Sequence, residues 1–223
     1  MRGQPSPHRE RLTYITVAEL SLIVTSLLVF QDIPMVTFPA QSTVSSIIYA
    51  LICIMGIIAG ISPKSCSIGA RSERRDGDEV AGHHPDCGHF PGHTVKFRGG
   101  VYCAGCSGLI LGAVVALLGL VSGWYPFDVL VGFWFGVLLV GLGLAQHLID
   151  LSSAWVHLGL NILFVAGTWF MFRAIQLMNL SFFASAYFLV MTVFWIFARI
   201  RASQWTHVAV CNECDLVCSN RFE

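Results

Sequence analysis

The chain has 223 residues, of which 55% are hydrophobic and 12% charged, and its formal net charge is zero. So apolar a chain cannot hide its side chains in one soluble core and keep a wettable surface, which excludes an ordinary soluble globular domain. The zero net charge offers no strongly basic patch for nucleic acid and no acidic tail for a cationic partner.

The apolar pattern divides into six predicted spans: Tyr14 to Phe30, Thr43 to Ile61, Val101 to Val121, Val129 to Leu148, Ala154 to Phe172 and Leu180 to Ile200. Each is near the roughly 20 residues that cross a hydrocarbon core as helix. The fold class read from this is an all-α integral membrane protein of about six transmembrane helices with a small Cys/His metal-bound cytoplasmic cap. Its expected parts are a cytoplasmic N-terminus over residues 1–13, two transmembrane helices over 14–61 and a cytoplasmic loop with a Cys/His knuckle over 62–100. Four more transmembrane helices over 101–200 and a cytoplasmic Cys-rich tail over 201–223 complete it.

Orientation follows from the cations. Arg2, Arg9 and Arg11 precede the first span; Lys64, Arg71, Arg74, Arg75, Lys96 and Arg98 lie between the second and third; Arg199, Arg201 and Arg221 close the chain; only Arg173 falls in a loop of opposite parity. The positive-inside rule then gives a multi-pass protein of the cell membrane with both termini and the long loop in the cytoplasm. The first span, with arginines before it and Ala40 and Ser42 after it, has features of a secretory signal. Its apolar run is long for one, so it reads as a retained helix. Glu19 is the one carboxylate well inside a span, read first as a neutral or hydrogen-bonded group and second as a proton or ion relay.

The loop after the second span begins with the mixed-sign run Arg71 to Glu79, a solvated linker. From Gly82 onward it gathers His83, His84, Asp86, Cys87, His89 and His93 among Pro85, Gly88, Pro91, Gly92, Gly99 and Gly100, which favour a compact turn-rich knuckle over a long helix. Apart from Cys53, the cysteines fall in this loop, in the tail or at the mouth of the third span. That compartment is reducing, which moves cysteine pairs toward metal ligation.

Cys103-x-x-Cys106 is a chelating pair, because two intervening residues let both thiolates turn onto one ion. Cys87 and His93 would complete a Cys3His tetrahedron, with His84 or His89 able to replace His93. In the tail, His207, Cys211, Cys214 and Cys218 form a second ligand set, or share ligands with the loop. Zinc is the expected ion, and its binding, on the order of 10 kcal/mol, would fold a knuckle that buries little apolar surface. An iron–sulfur cluster is the alternative cofactor, although no four-Cys ferredoxin spacing is present. Palmitoylated or uncommitted thiols in the tail, and thiol–disulfide exchange at Cys103 and Cys106, are the other readings. The second lacks the βαβ context usual for it.

Gly108, Gly112, Ala116, Gly119 and Gly123 line the third span and Gly132, Gly136 and Gly143 the fourth, which predicts a tight hairpin of these two helices. Gln146, His147 and Asp150 close the fourth span, and His157 and Asn161 open the fifth. The four-residue spacing of His157 and Asn161 puts them on one helical face, so His147, Asp150, His157 and Asn161 form a candidate polar pocket; interhelical hydrogen bonding without chemistry is the bland alternative.

The stretch His84-Pro85-Asp86-Cys87, then His93, then Cys103-Ala104-Gly105-Cys106-Ser107-Gly108-Leu109, a Gly-rich span and the polar Gln146 to Asn161 segment resembles a family of small prokaryotic polytopic membrane proteins whose function is uncharacterised. The resemblance covers roughly residues 83–170 and implies a Cys/His loop entering a transmembrane helix through a Cys-x-x-Cys-x-Gly element. The family often has a basic residue inside the Cys-x-x-Cys, where this chain has Gly105, and an Arg-Ser-Phe-like element that this chain lacks. No activity carries over with it.

The functional expectation is a polytopic membrane protein whose cytoplasmic zinc-binding cap is a structural and interaction module. Its partners are the lipid bilayer and a protein at the cytoplasmic face, with no nucleic acid. The alternatives are a metal-dependent enzyme at the membrane interface and a transporter or metal-handling protein, so whether the chain is an enzyme stays open.

Overall fold

The structure, a computed structural model, describes residues 7–29, 31, 40–61, 91–149, 151–178 and 181–212. Within them lie the helices α1 (Pro7–Val29), α2 (Gln41–Ile61), α3 (Ala104–Ser122), α4 (Val129–Ala145), α5 (Ala154–Leu177) and α6 (Phe182–Asn212), with an antiparallel hairpin of β1 (Thr94–Phe97) and β2 (Gly100–Cys103) ahead of α3. Six helices are long and apolar enough to cross a membrane, α4 being continued by the 3₁₀ turn Gln146–Leu148. Their outer faces carry side chains such as Leu27, Leu118, Val121 and Phe183, each more than half exposed. Such a surface suits lipid rather than water.

Helix ends fall where local chemistry stops or starts them. Gly123 closes α3 in the left-handed conformation at φ 66°, which costs glycine no Cβ clash. Asp128 caps α4 by accepting the Leu130 N–H at 3.0 Å, and Ser181 Oγ accepts the Ala184 N–H at 3.1 Å at the start of α6. The Asp128 cap explains why the predicted start at Val129 coincides with the observed one; the predicted start at Ala154 coincides as well, directly after Ser153 in extended backbone.

The core is organised around α5. It contributes Phe164, Val165, Trp169, Met171, Phe172 and Ile175, all buried, and packs against both α3 and α4. The glycine stripes of α3 and α4, expected to face each other, both face α5 instead. A methyl on Gly112 would lie 2.8 Å from Val165 Cβ, one on Gly136 would lie 2.7 Å from the Gly167 carbonyl oxygen, and one on Gly143 would lie 2.5 Å from Phe164 Cβ. The physical reason is size: the bulky face of α5 needs two small faces, and each stripe supplies one.

Helix α1 packs along α6, joined by Trp195 Nε1 donating to Ser21 Oγ at 2.8 Å, Arg11 Nη1 donating to Thr206 Oγ1 at 3.2 Å, and the Tyr14 and Trp205 rings at 4.8 Å. Helix α2 packs on α3 and α6 and sends Tyr49 inward, its hydroxyl 3.0 Å from Thr168 Oγ1 and its ring stacked 4.5 Å from Phe172.

Two expectations need correction. The third span does not begin at Val101, because residues 94–103 pair as a hairpin and α3 starts at Ala104. The two-residue connection Arg98-Gly99 has φ 47° and 83°, the doubly left-handed turn whose twist matches that of two strands. The sixth helix does not give way to a tail at residue 201; it continues to Asn212, so His207 and Cys211 lie four apart on a helix.

Candidate functional site

The hairpin is seated on the bundle by Val95, which is buried with Ala104 and Ala154 against Leu158. Beside it the backbone of the 3₁₀ turn Pro91–His93 runs against the α4–α5 connection; a methyl on Gly92 would lie 2.5 Å from the Leu151 carbonyl oxygen. Only glycine permits that approach. The strand register pairs Thr94 with Cys103, so the residue after His93 faces the last residue before α3.

Four elements thereby bring a histidine to one end of the bundle. His93 ends its 3₁₀ turn, His147 lies in the turn that follows α4, His157 sits one turn into α5, and His207 lies near the end of α6. Their rings meet as a series, with centres 6.0 Å apart for His147 and His157, 5.0 Å for His157 and His93, and 5.4 Å for His93 and His207, each pair edge to face. His147, His157 and His207 are buried and His93 partly so. Arg199, two turns before His207 on α6, is buried with its guanidinium over the Phe164 ring at 5.4 Å. Among the described residues, Arg199, His157, His93 and Arg11 are groups that act electrostatically on His147.

Two amides lie behind the imidazoles. Gln146 Nε2 donates to the Gly143 carbonyl at 2.6 Å and to Asn161 Oδ1 at 3.1 Å. The carbonyl fixes which end of Gln146 is nitrogen, and that in turn fixes Asn161, whose oxygen faces Gln146 and whose nitrogen faces away. Asn161 is wholly buried, and its Nδ2 has no hydrogen-bond partner; Gln146 Oε1 and His147 Nε2 are likewise buried without one.

The cysteines of the Cys-x-x-Cys element straddle the start of α3. Cys103 is the N-cap residue, its Sγ accepting the Cys106 N–H at 3.5 Å, and both side chains are buried, as is Cys211. Cys103 Sγ and His157 Nε2 each lie 3.8 Å from the position a methyl on Gly105 would take, so at most a small space separates them.

Of the residues expected to form a site, the structure brings together His93, His147, His157, Asn161, Cys103 and His207, with Cys106 and Cys211 buried on the two adjoining helices. His84, Cys87, His89, Asp150, Cys214 and Cys218 lie outside the described residues, as do His83 and Asp86. Arg199 and Arg11 were not anticipated as neighbours of this pocket. Arg199 could have been found from its spacing, because residues 199, 203, 207 and 211 fall on one face of a continuous helix.

The fit of this end to a metal ion is mixed. Two imidazoles sharing a tetrahedral zinc, with Zn–N near 2.0–2.1 Å, hold their ring centres about 5 Å apart, close to the two spacings made by His93. Yet among the described residues no group of three or more His, Cys, Asp or Glu is arranged to hold a metal ion. Ring-centre spacing is compatible with a shared ion, while a closed set of ligands is not formed among the described residues.

No family model matches the chain, and no curated protein or solved structure matches it either.

Proposed function

We propose that this polytopic membrane protein holds a divalent transition-metal ion, zinc by preference, at its hairpin-bearing end, and that the ion ties the hairpin to the helix bundle as a structural and interaction module. The single observation that supports this most is His93, a hairpin-side imidazole 5.0 Å from His157 of α5 and 5.4 Å from His207 of α6. An ion bridging those rings would link three elements distant in sequence. Buried thiols at Cys103, Cys106 and Cys211 are soft donors of the kind such an ion takes. The proposal puts this end and both termini in the cytoplasm, on the strength of the Lys and Arg distribution.

The test is elemental analysis of detergent-purified protein from zinc-supplemented cells, comparing wild type with His93→Ala, His207→Ala and Cys103→Ser. About one zinc per chain in the wild type, lost in the variants, supports the reading. A wild type without stoichiometric metal, or variants that keep it, overturns it.

A metal-dependent enzyme at the membrane interface is the second reading, favoured by the unpartnered buried Asn161 Nδ2 and Gln146 Oε1, which are the kind of groups that orient a substrate. The transporter reading gains nothing. Glu19 lies against Gly141, and the buried residues of α1 between it and the histidine end are Ile15 and Ala18, with Leu144 on α4, all apolar.

A further inference from the structure

We infer that the tip of the β1–β2 hairpin is a membrane-surface anchor for anionic lipids, in which Lys96 and Arg98 meet the charged headgroups and Phe97 and Tyr102 enter the boundary with the acyl chains. The argument begins with the level at which the hairpin is seated. Val95 packs against Ala154, the first residue of α5, and the next residue of that helix, Trp155, is 61% exposed. An outward tryptophan in the first turn of a spanning helix marks the depth of the bilayer interface. Phe97 is two residues beyond Val95, about 7 Å of extended strand, and each headgroup layer is about 5 to 8 Å deep. Whichever way the hairpin leans, its tip stays within or beside the headgroups.

What the tip displays there suits that depth. Strand side chains alternate, and the register pairs Val95 with Tyr102 and Phe97 with Gly100, so these four share one face. The base of the face is closed by the burial of Val95, while its outer part is open: Phe97 is 57% exposed and Tyr102 is exposed as well. Tyr102 leans toward the tip, since a methyl on Gly100 would lie 2.8 Å from its ring carbon Cε2. Lys96 and Arg98 are exposed beside the rings, the Arg98 guanidinium 5.6 Å from the centre of Phe97. Residues 94–103 carry these two cations and no carboxylate. Aromatic rings flanked by Lys and Arg settle at a lipid–water boundary, with the cations held by negative headgroups. The inference rests on the exposed side of the hairpin and needs no ion at the histidine end.

The test places the photoreactive p-benzoylphenylalanine in place of Phe97, or in place of the lipid-facing Leu118 as control, in the full chain. Each chain is irradiated in nanodiscs of phosphatidylcholine with a minor share of phosphatidylglycerol, and the adducts are read by mass spectrometry. Lipid adducts are expected at both positions. At position 97 the phosphatidylglycerol share of the adducts should exceed its share of the bilayer about twofold or more, whereas at 118 the two shares should agree. Lys96→Gln combined with Arg98→Asn should abolish the excess. Both side chains are exposed, and Asn tolerates the φ of 47° at position 98, so the hairpin is kept. Absence of lipid adducts at 97 in preparations that form them at 118 puts the tip in water and overturns the inference. A phosphatidylglycerol share equal to that of the bilayer, or an excess unchanged by the paired substitution, also overturns it. Adducts to a polypeptide in place of lipid, when the chain is irradiated in the cell membrane before purification, make the tip a protein-docking face and overturn it too.

Discussion

Helix α4 ends in two different ways, and the contrast separates what builds this bundle from what the bundle carries. At its start, Asp128 caps the first turn, the Tyr125 hydroxyl donates to the Val129 carbonyl at 3.3 Å, and Phe127, Phe135 and Phe170 close the end with ring centres 5.3 to 5.8 Å apart. At its other end the helix tightens into a 3₁₀ turn and leaves Gln146 Oε1 and His147 Nε2 buried without partners among the described residues, beside an equally unpartnered Asn161 Nδ2. Each such group costs about 1–3 kcal/mol. Among the described residues, the polar groups at the start of α4 are paired, while several at its other end are buried without a partner, and buried groups of that kind call for an explanation.

The largest effect should come from a change that removes both ends at once. Gly136→Val would drive a branched side chain against the Gly167 carbonyl and Met171 and separate α4 from α5. We expect a loss of about 3 kcal/mol in a denaturant titration in detergent, together with loss of zinc binding. Intact binding in this variant would show that the histidine end does not depend on the α4–α5 contact. Next, chelation acts on the histidine end alone. With free zinc held at about a hundred times its dissociation constant, metal should stabilise the wild type by about 2.7 kcal/mol. It should do nothing for His93→Ala combined with His207→Ala, as read from thermal midpoints with and without chelator.

Asp128→Ala acts on the opposite end alone. Loss of the cap should cost about 1 kcal/mol and leave zinc binding untouched; altered binding would show that the two ends of α4 are coupled. The smallest effect is expected at Tyr125, where burial first and the neighbouring Asp128 second push the phenol up from 10.0 to about 12. The folded chain holds this proton more tightly than the unfolded one, so the contribution is complete below pH 10 and is lost as pH rises toward about 12. The wild type should therefore lose stability over that alkaline window while Tyr125→Phe does not, and an equal loss in both would place the phenol in ordinary solvent.

The spans were legible in the sequence because length and apolarity are local, and the apolar runs beginning at Val129 and Ala154 coincide with the starts of α4 and α5. The hairpin was not, although its signal was present: Val95 and Phe97 alternate with Thr94 and Lys96 before a Gly pair and Val101-Tyr102. Eight strand residues next to a long apolar run are easily absorbed into that run. The end of α6 was missed because Arg199 and Arg201 suggested a membrane boundary, which is a limit on apolarity and not on helix. At the site, the His157 and Asn161 pairing could be read from one helix. The arrival of His93 and His207 could not, since it depends on the hairpin docking at Val95 and on α1 holding α6 through Arg11 and Thr206. The glycine stripes told how closely a neighbour comes and not which neighbour it is.

With 31 residues, α6 is about 46 Å long at 1.5 Å per residue, half as long again as a hydrocarbon core of about 30 Å. A rigid rod of that length answers a thinner bilayer by leaning further over. Because His207 rides near one tip while His93 is anchored to α5 through the hairpin, leaning would slide one imidazole past the other, and the spacing of the two rings would then report the thickness of the surrounding membrane.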